Sequence, residues 1–154
     1  EYLNLIDYTY KSGVDGHFSV KPTFFGMLLD PELAYKHIRE IVAKAASYKG
    51  FVRIDMEDSP CTELEIKLFR RLKTEFPDSV GLVIQAYLKR TFNDIKGLTD
   101  LNSQEHPLSF RLCKGIYIEP AAISYKKYEE INIHVLTRPR AALAKDSILS
   151  ARLV

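Results

Sequence analysis

Four short runs rich in β-branched and aromatic residues recur along the chain: FSVK at 18–21, FVRIDM at 51–56, SVGLVIQAY at 79–87 and PLSFRLCK at 107–114. Their starts fall about 30 residues apart, and each gap holds one helical pattern, which is the period of a strand–helix–strand unit. Parallel neighbours cannot be joined by a tight turn, so the crossover helix is what sets this spacing. The third run is apolar almost throughout, as in a strand covered on both faces of a parallel sheet. An α/β fold follows.

The punctuation between the runs agrees. Residues 1–12 place Leu3, Ile6 and Tyr10 on one helical face and end near Ser12-Gly13. Asp30-Pro31 opens a second helix, with a capping side chain and a proline in the first turn, where its missing N–H costs nothing. Ala34, Ile38, Ile41, Val42 and Ala45 then recur at helical spacing until Lys49-Gly50. Ser59-Pro60 repeats the start signal. Leu64, Leu68, Leu72 and Phe76 form the expected buried stripe, and Pro77-Asp78 ends it. Thr91 and Asp94 have capping-box spacing ahead of Ile95, Leu98 and Leu101, and NSQEHP is the loop before the last run.

Two architectures fit. An open doubly wound sheet suits 154 residues, whereas a (β/α)8 barrel usually takes about 250 residues. They differ in where ligand groups gather: at the switch point of an open sheet, or over many strand ends of a barrel. Here every run ends in chemistry, at Lys21, at Asp55 with Glu57, at Gln85, and at Arg111 with Lys114. That favours a partial (β/α)8 TIM-type barrel of about four parallel strands over residues 1–134. From 135 the composition changes to VLTRPRAALAKDSILSARLV, with four basic residues against one acidic, so 135–154 reads as an atypical basic tail where a natural sequence has been replaced or cut. The opening EYLNLIDYTY is neither a signal nor a transit peptide, and the absent Met suggests a fragment or a processed start.

Several function classes are disfavoured. A net charge of +2 and a pI near 8.5 are too mild for nucleic acid, and no Arg/Lys cluster interleaves with aromatics. No apolar run approaches the roughly 18 residues that a membrane span needs. Cys61 and Cys113 form no CxxC pair, which suits a reducing compartment. His17, His37, His106 and His134 lack zinc-motif spacing, and no metal is expected. Asp55, Glu57 and Asp58 could offer Mg²⁺ oxygen ligands, but the neighbouring strands bring lysine, glutamine and arginine instead. Gly115 stands alone, without a phosphate-loop pattern.

Taken together, SVKPT at 19–23, RIDMED at 53–58, IQAYLKRT at 84–91 and RLCKGIYIE at 111–119 resemble, in order and spacing, the catalytic domain of the proline dehydrogenase family. The resemblance covers residues 1–134. It implies a distorted (β/α)8 barrel holding FAD at the strand C-termini, with these runs similar to its second to fifth strands. The activity it implies is oxidation of L-proline to Δ1-pyrroline-5-carboxylate, with electrons passed to a quinone. It also implies a cytoplasmic enzyme with at most peripheral contact with the inner membrane.

Carried over by position, Lys21 resembles the lysine near the proline carboxylate, Asp55 the active-site aspartate and Met56 the residue beside the isoalloxazine. Gln85 resembles the glutamine bonded to the flavin ring, and Arg111 the arginine at its reactive edge. Cys113, Lys114, Gly115, Ile116 and Tyr117 match the segment lying along the cofactor, although Cys113 and Ile116 stand where the family commonly has Val and Ala. The family's Thr-His segment, its paired arginines with a glutamate and its first strand have no match, since Arg138 and Arg140 flank a proline. The expectation is therefore an incomplete site that binds FAD weakly or not at all, on a chain that self-associates through open strand edges.

Each residue also has a plainer reading. Arg111 could pair with Asp55 or Glu57, Lys21 could reach solvent, Lys114 could pair with Glu119, Gln85 could be bonded to backbone and Cys113 could pack. The alternatives to the flavin reading are a barrel-type Schiff-base lyase or aldolase using Lys21 or Lys114, and a non-catalytic interaction fragment.

Overall fold

Helix α2 (Pro31–Ser47) begins as its sequence predicts. One carboxylate oxygen of Asp30 accepts the N–H groups of Glu32 and Leu33, both at 3.0 Å, a cap worth about 1 kcal/mol. Ala34, Ile38, Ile41, Val42 and Ala45 are all buried. The helix stops where Lys49 turns left-handed (φ +59°) and the Gly50 N–H closes back on the Ala45 carbonyl. This structure, a computed structural model, describes residues 1–132. The expected basic tail at 135–154, with Arg138 and Arg140, lies outside the described residues.

Helix α1 (Tyr2–Lys11) precedes strand β1 (His17–Val20), and a 3-10 turn (Pro22–Phe25) leads to α2. Strand β2 (Phe51–Ile54), helix α3 (Ser59–Glu75) and strand β3 (Val80–Gln85) follow. Helix α4 (Thr91–Gly97), a second 3-10 turn (Thr99–Leu101), strand β4 (Phe110–Cys113) and helix α5 (Tyr128–Asn132) complete the order. All strand pairs are parallel, and the order across the sheet is β1-β2-β3-β4. Consecutive neighbours with no reversal exclude a doubly wound sheet, which needs a switch point. The fold is four strands' worth of a (β/α)8 barrel. Among the described residues, β1 and β4 each have one strand neighbour.

Register separates the two faces. Val20, Ile54, Leu82 and Phe110 align across the strands and are buried in the core shared with α2 and α3. The adjacent row, Ser19, Arg53 and Gly81, points to the opposite face, because successive side chains alternate. The polar residues at the strand ends continue this second face.

Three local expectations are corrected. Of the α1 residues expected on one face, Ile6 is buried but Leu3 is 38% exposed, so they do not share one environment. The buried stripe of α3 is rotated: Leu68 and Leu72 are buried, but Leu64 and Phe76 are only partly so, while Cys61, Thr62, Glu65, Phe69 and Lys73 are buried. The rotation brings Phe69 against Phe110 of β4, with ring centroids 6.3 Å apart. Ser59 is not the cap of α3 either. The Asp58 side chain precedes the helix without accepting any of its backbone N–H groups, and its carboxylate takes the Cys61 thiol instead.

The capping box at Thr91 and Asp94 is also absent. Thr91 is buried and its hydroxyl donates to the Gln85 carbonyl, while Asp94 pairs with Arg90 at 2.8 Å.

Candidate active site

Parallel strands finish on one rim, and this is where the singled-out residues meet. Lys21 follows β1 directly, Asp55 follows β2, Gln85 ends β3, and Arg111 and Cys113 belong to β4. All five line one cavity of about 150 Å³. Met56, Gly115, Ile116 and Tyr117 line it too, together with Val83, which the sequence had not marked. Lys114 does not: its side chain is exposed, and its backbone carbonyl accepts the Tyr87 N–H at 3.0 Å.

Arg111 reaches from β4 to Asp55, with Nη2 2.6 Å from Oδ1, while its Nη1 lies 3.5 Å from the Ser19 hydroxyl. Burial pushes the Asp55 carboxyl up, against the pull of Arg111 and then Lys21. The 2.6 Å contact with a guanidinium that is always charged favours the carboxylate form. The plainer reading of Arg111 as an ion-pair partner is thus realised, with donors left over. Glu57 is not that partner; its carboxylate accepts the Thr23 N–H at 3.0 Å and hydroxyl at 2.7 Å.

Beneath this pair lies a second guanidinium. Arg53 crosses Gly81 to donate to the Ser109 carbonyl (2.8 Å) and hydroxyl (3.1 Å). A Cβ on Gly81 would stand 2.3 Å from Arg53 Nη1, so glycine is what lets the arginine lie across β3. Burial, followed by the like charge of Arg111, lowers its pKa to about 10.

Gln85 is almost fully buried, and its Nε2 donates to the carbonyls of Met56 and Glu57. Its Oε1 has no hydrogen-bond partner among the described residues. The backbone-bonded reading therefore accounts for only half of the amide. A buried acceptor without a partner is costly unless a donor arrives.

The segment after β4 is stitched in place. The Ala86 N–H bonds the Cys113 carbonyl (2.7 Å), and the Tyr87 hydroxyl donates to the Tyr117 carbonyl (3.2 Å). Gly115 has φ +111°, and a Cβ there would stand 2.2 Å from Tyr87 Cδ1. Glu119 is buried, and its carboxylate accepts the Ser59 N–H (2.6 Å) and hydroxyl (2.7 Å) at the start of α3. In the plainer reading of Lys114, Glu119 was a possible surface partner; it is instead buried, with its carboxylate on Ser59. Lys21 Nζ sits 5.8 Å from the centroid of the Phe24 ring.

Sequence reasoning missed Arg53, Glu65, Val83 and Glu119. For Glu65 a signal existed: it stands at the centre of the helical stripe Cys61, Leu68, Phe69 and Leu72, where a solvated charge does not belong. A larger groove of about 660 Å³, bordered by residues of α2 and α3, includes Tyr35 and Leu64. Four of its five charged groups already pair with one another, Glu32 with Arg71 and Arg70 with Asp100, so it presents no convergent set. Among the described residues, no three His, Cys, Asp or Glu side chains cluster as a metal ion requires. No helix among them is long and apolar enough to cross a membrane.

Comparison with known proteins decides the family. A family model described as proline dehydrogenase matches residues 2–138. The chain belongs to the proline dehydrogenase family. It is similar to proline dehydrogenase 1 of Bacillus subtilis subsp. natto, 39% identical over 121 residues that make up 79% of this chain and 38% of that protein. It is also similar to the proline dehydrogenase of Deinococcus radiodurans, 32% identical over 136 residues, 86% of this chain and 42% of that one. The chain thus spans less than half the length of these relatives. In fold it resembles proline utilization A from Bdellovibrio bacteriovorus inactivated by N-propargylglycine, with a TM-score of 0.81 and 22% identity over 99% of this chain and 20% of that one.

Proposed function

We propose that this chain supplies part of an FAD site for the oxidation of L-proline to Δ1-pyrroline-5-carboxylate, with electrons passed to a quinone. The observation that carries the reading is the convergence of Lys21, Asp55, Met56, Gln85 and Arg111 on one cavity at a parallel-strand rim, in a chain of this family. The residues fit a flavin ring. Gln85 brings a buried, half-satisfied amide to the cavity lining, Arg111 has donors beyond those given to Asp55, and bare Gly115 keeps its wall close to Tyr87. When bound, FAD supplies the two-electron acceptor chemistry for an amine carbon, which side chains cannot provide.

The protein groups then have separate tasks. Arg111 sets positive charge where the ring edge becomes electron-rich, and Asp55 fixes the direction of its fork. Lys21 offers an ammonium to the proline carboxylate. Met56, Cys113, Ile116 and Tyr117 keep water from the reacting face. A cavity of about 150 Å³ is smaller than the roughly 300–1,000 Å³ of a ligand pocket. The remaining walls are therefore assigned to groups beyond the described residues, and the chain alone should hold FAD weakly.

The Schiff-base alternative loses Lys114, which is exposed and outside the cavity. The test is proline-dependent reduction of a dye by the purified full chain with added FAD. Slow turnover that requires proline and disappears in R111A supports the proposal. Turnover indifferent to proline refutes the activity, and fast turnover by the chain alone refutes the partial site.

A further inference from the structure

The buried face of α3 carries a carboxyl group that the proposed chemistry does not use. Glu65 is fully buried and makes no ion pair among the described residues. Its Oε1 accepts the Glu57 N–H at 2.9 Å, and its Oε2 has no partner among the described residues. The other side of the same turn is gripped by Gln85, whose amide donates to the Met56 and Glu57 carbonyls. The backbone that delivers Asp55 and Met56 to the rim is thus clamped from below by two buried side chains, one on α3 and one on β3.

We infer that Glu65 is a positioning residue for this rim: an uncharged carboxylic acid that fixes the Met56–Glu57 backbone through its hydrogen bond to the Glu57 N–H. Its surroundings dictate the uncharged form. Asp55, Glu57 and Asp58 face it from the β2–α3 turn, Cys61 from its own helix, and Tyr117 from the segment after β4. None of these is a cation, and a carboxylate with no counter-ion in a dry interior is strongly disfavoured. Burial, together with these like charges, raises its pKa to about 8 even though the Glu57 N–H favours the anion. The inference holds whichever cofactor the rim takes.

The sign of the linkage follows. The unfolded chain releases this proton near the ordinary value of 4.5, while the folded chain holds it to about 8. The folded state binds more protons between those values, so Glu65 subtracts stability progressively as pH rises from 4.5 to 8. Glutamine keeps the carbonyl acceptor and cannot ionise.

The experiment compares the full-length wild type, E65Q and E65L by urea unfolding at pH 5 and pH 8, with amide hydrogen exchange at Glu57. Relative to wild type, the unfolding constant of E65Q is expected to fall by at least about tenfold on going from pH 5 to pH 8. Glu57 N–H protection should be retained in E65Q and lost in E65L. Parallel pH curves for wild type and E65Q would overturn the uncharged acid. Equal Glu57 protection in E65Q and E65L would overturn the positioning role. E65Q is nearly isosteric with wild type, so the pH comparison stands even if E65L fails to fold.

Discussion

Arg111 and Asp55 lie 56 positions apart in sequence, yet their side chains meet at 2.6 Å across the end of β3. Val83, which pairs with Arg111 in register, lines the same cavity between them. The pair joins β4 to β2 and leaves a guanidinium edge on the cavity wall. It is partly solvated, with Arg111 34% and Asp55 19% exposed, so its contribution falls between that of a surface bridge and a buried one. A double-mutant cycle of R111A and D55A, read by urea unfolding, should give a coupling of about 1 kcal/mol. Strict additivity would mean that the pair holds nothing.

Gly115 is the one position in the post-β4 segment where a side chain has no room. Its φ of +111° is open chiefly to glycine, and a Cβ would meet the Tyr87 ring at 2.2 Å. G115A should therefore destabilise the chain by more than about 1 kcal/mol. The midpoint of denaturation measures this directly. An unchanged midpoint would show that the segment is not pinned against Tyr87.

The two cysteines should differ sharply in reactivity. Cys61 is buried, and burial, followed by the hydrogen bond to Asp58, pushes its thiol up to about 12. Cys113 is partly exposed and lines the rim cavity. Alkylation of the native chain with iodoacetamide, mapped by mass spectrometry, should label Cys113 and spare Cys61. Added FAD should slow labelling of Cys113 if that wall is where the cofactor lies. Rapid labelling of Cys61 would contradict the packing of α3.

Most of the rim was legible in the sequence because it depends on strand ends. Period and punctuation place Lys21, Asp55, Gln85 and Arg111 after β-branched runs, and parallel pairing then brings all the ends to one side. What escaped were partnerships between elements. Nothing local marks Glu119 as the group that holds the Ser59 N–H, because that contact spans 60 positions. Ser59 looks like a helix cap, and only tertiary geometry decides that its hydroxyl goes to Glu119 rather than to the helix start.

Charge also misled. Lys73 resembles a solvent-facing helix residue, yet it is buried with its ammonium on the carbonyls of Pro77 and Pro107. The apolar count of α3 could not show this, since Leu64 satisfies the period while lying only partly buried. Rotation of a helix about its axis is set by what it packs on, here β3 and Phe110.

The most direct measurement is an FAD titration of the purified full chain, followed by flavin fluorescence, for wild type, R111A and Q85A. If the β-strand rim is a flavin wall, binding is saturable but weak, and each substitution weakens it at least about tenfold, the scale of one hydrogen bond to a charged or buried group. Absence of saturable binding, or affinity that is the same in all three proteins, would contradict the account.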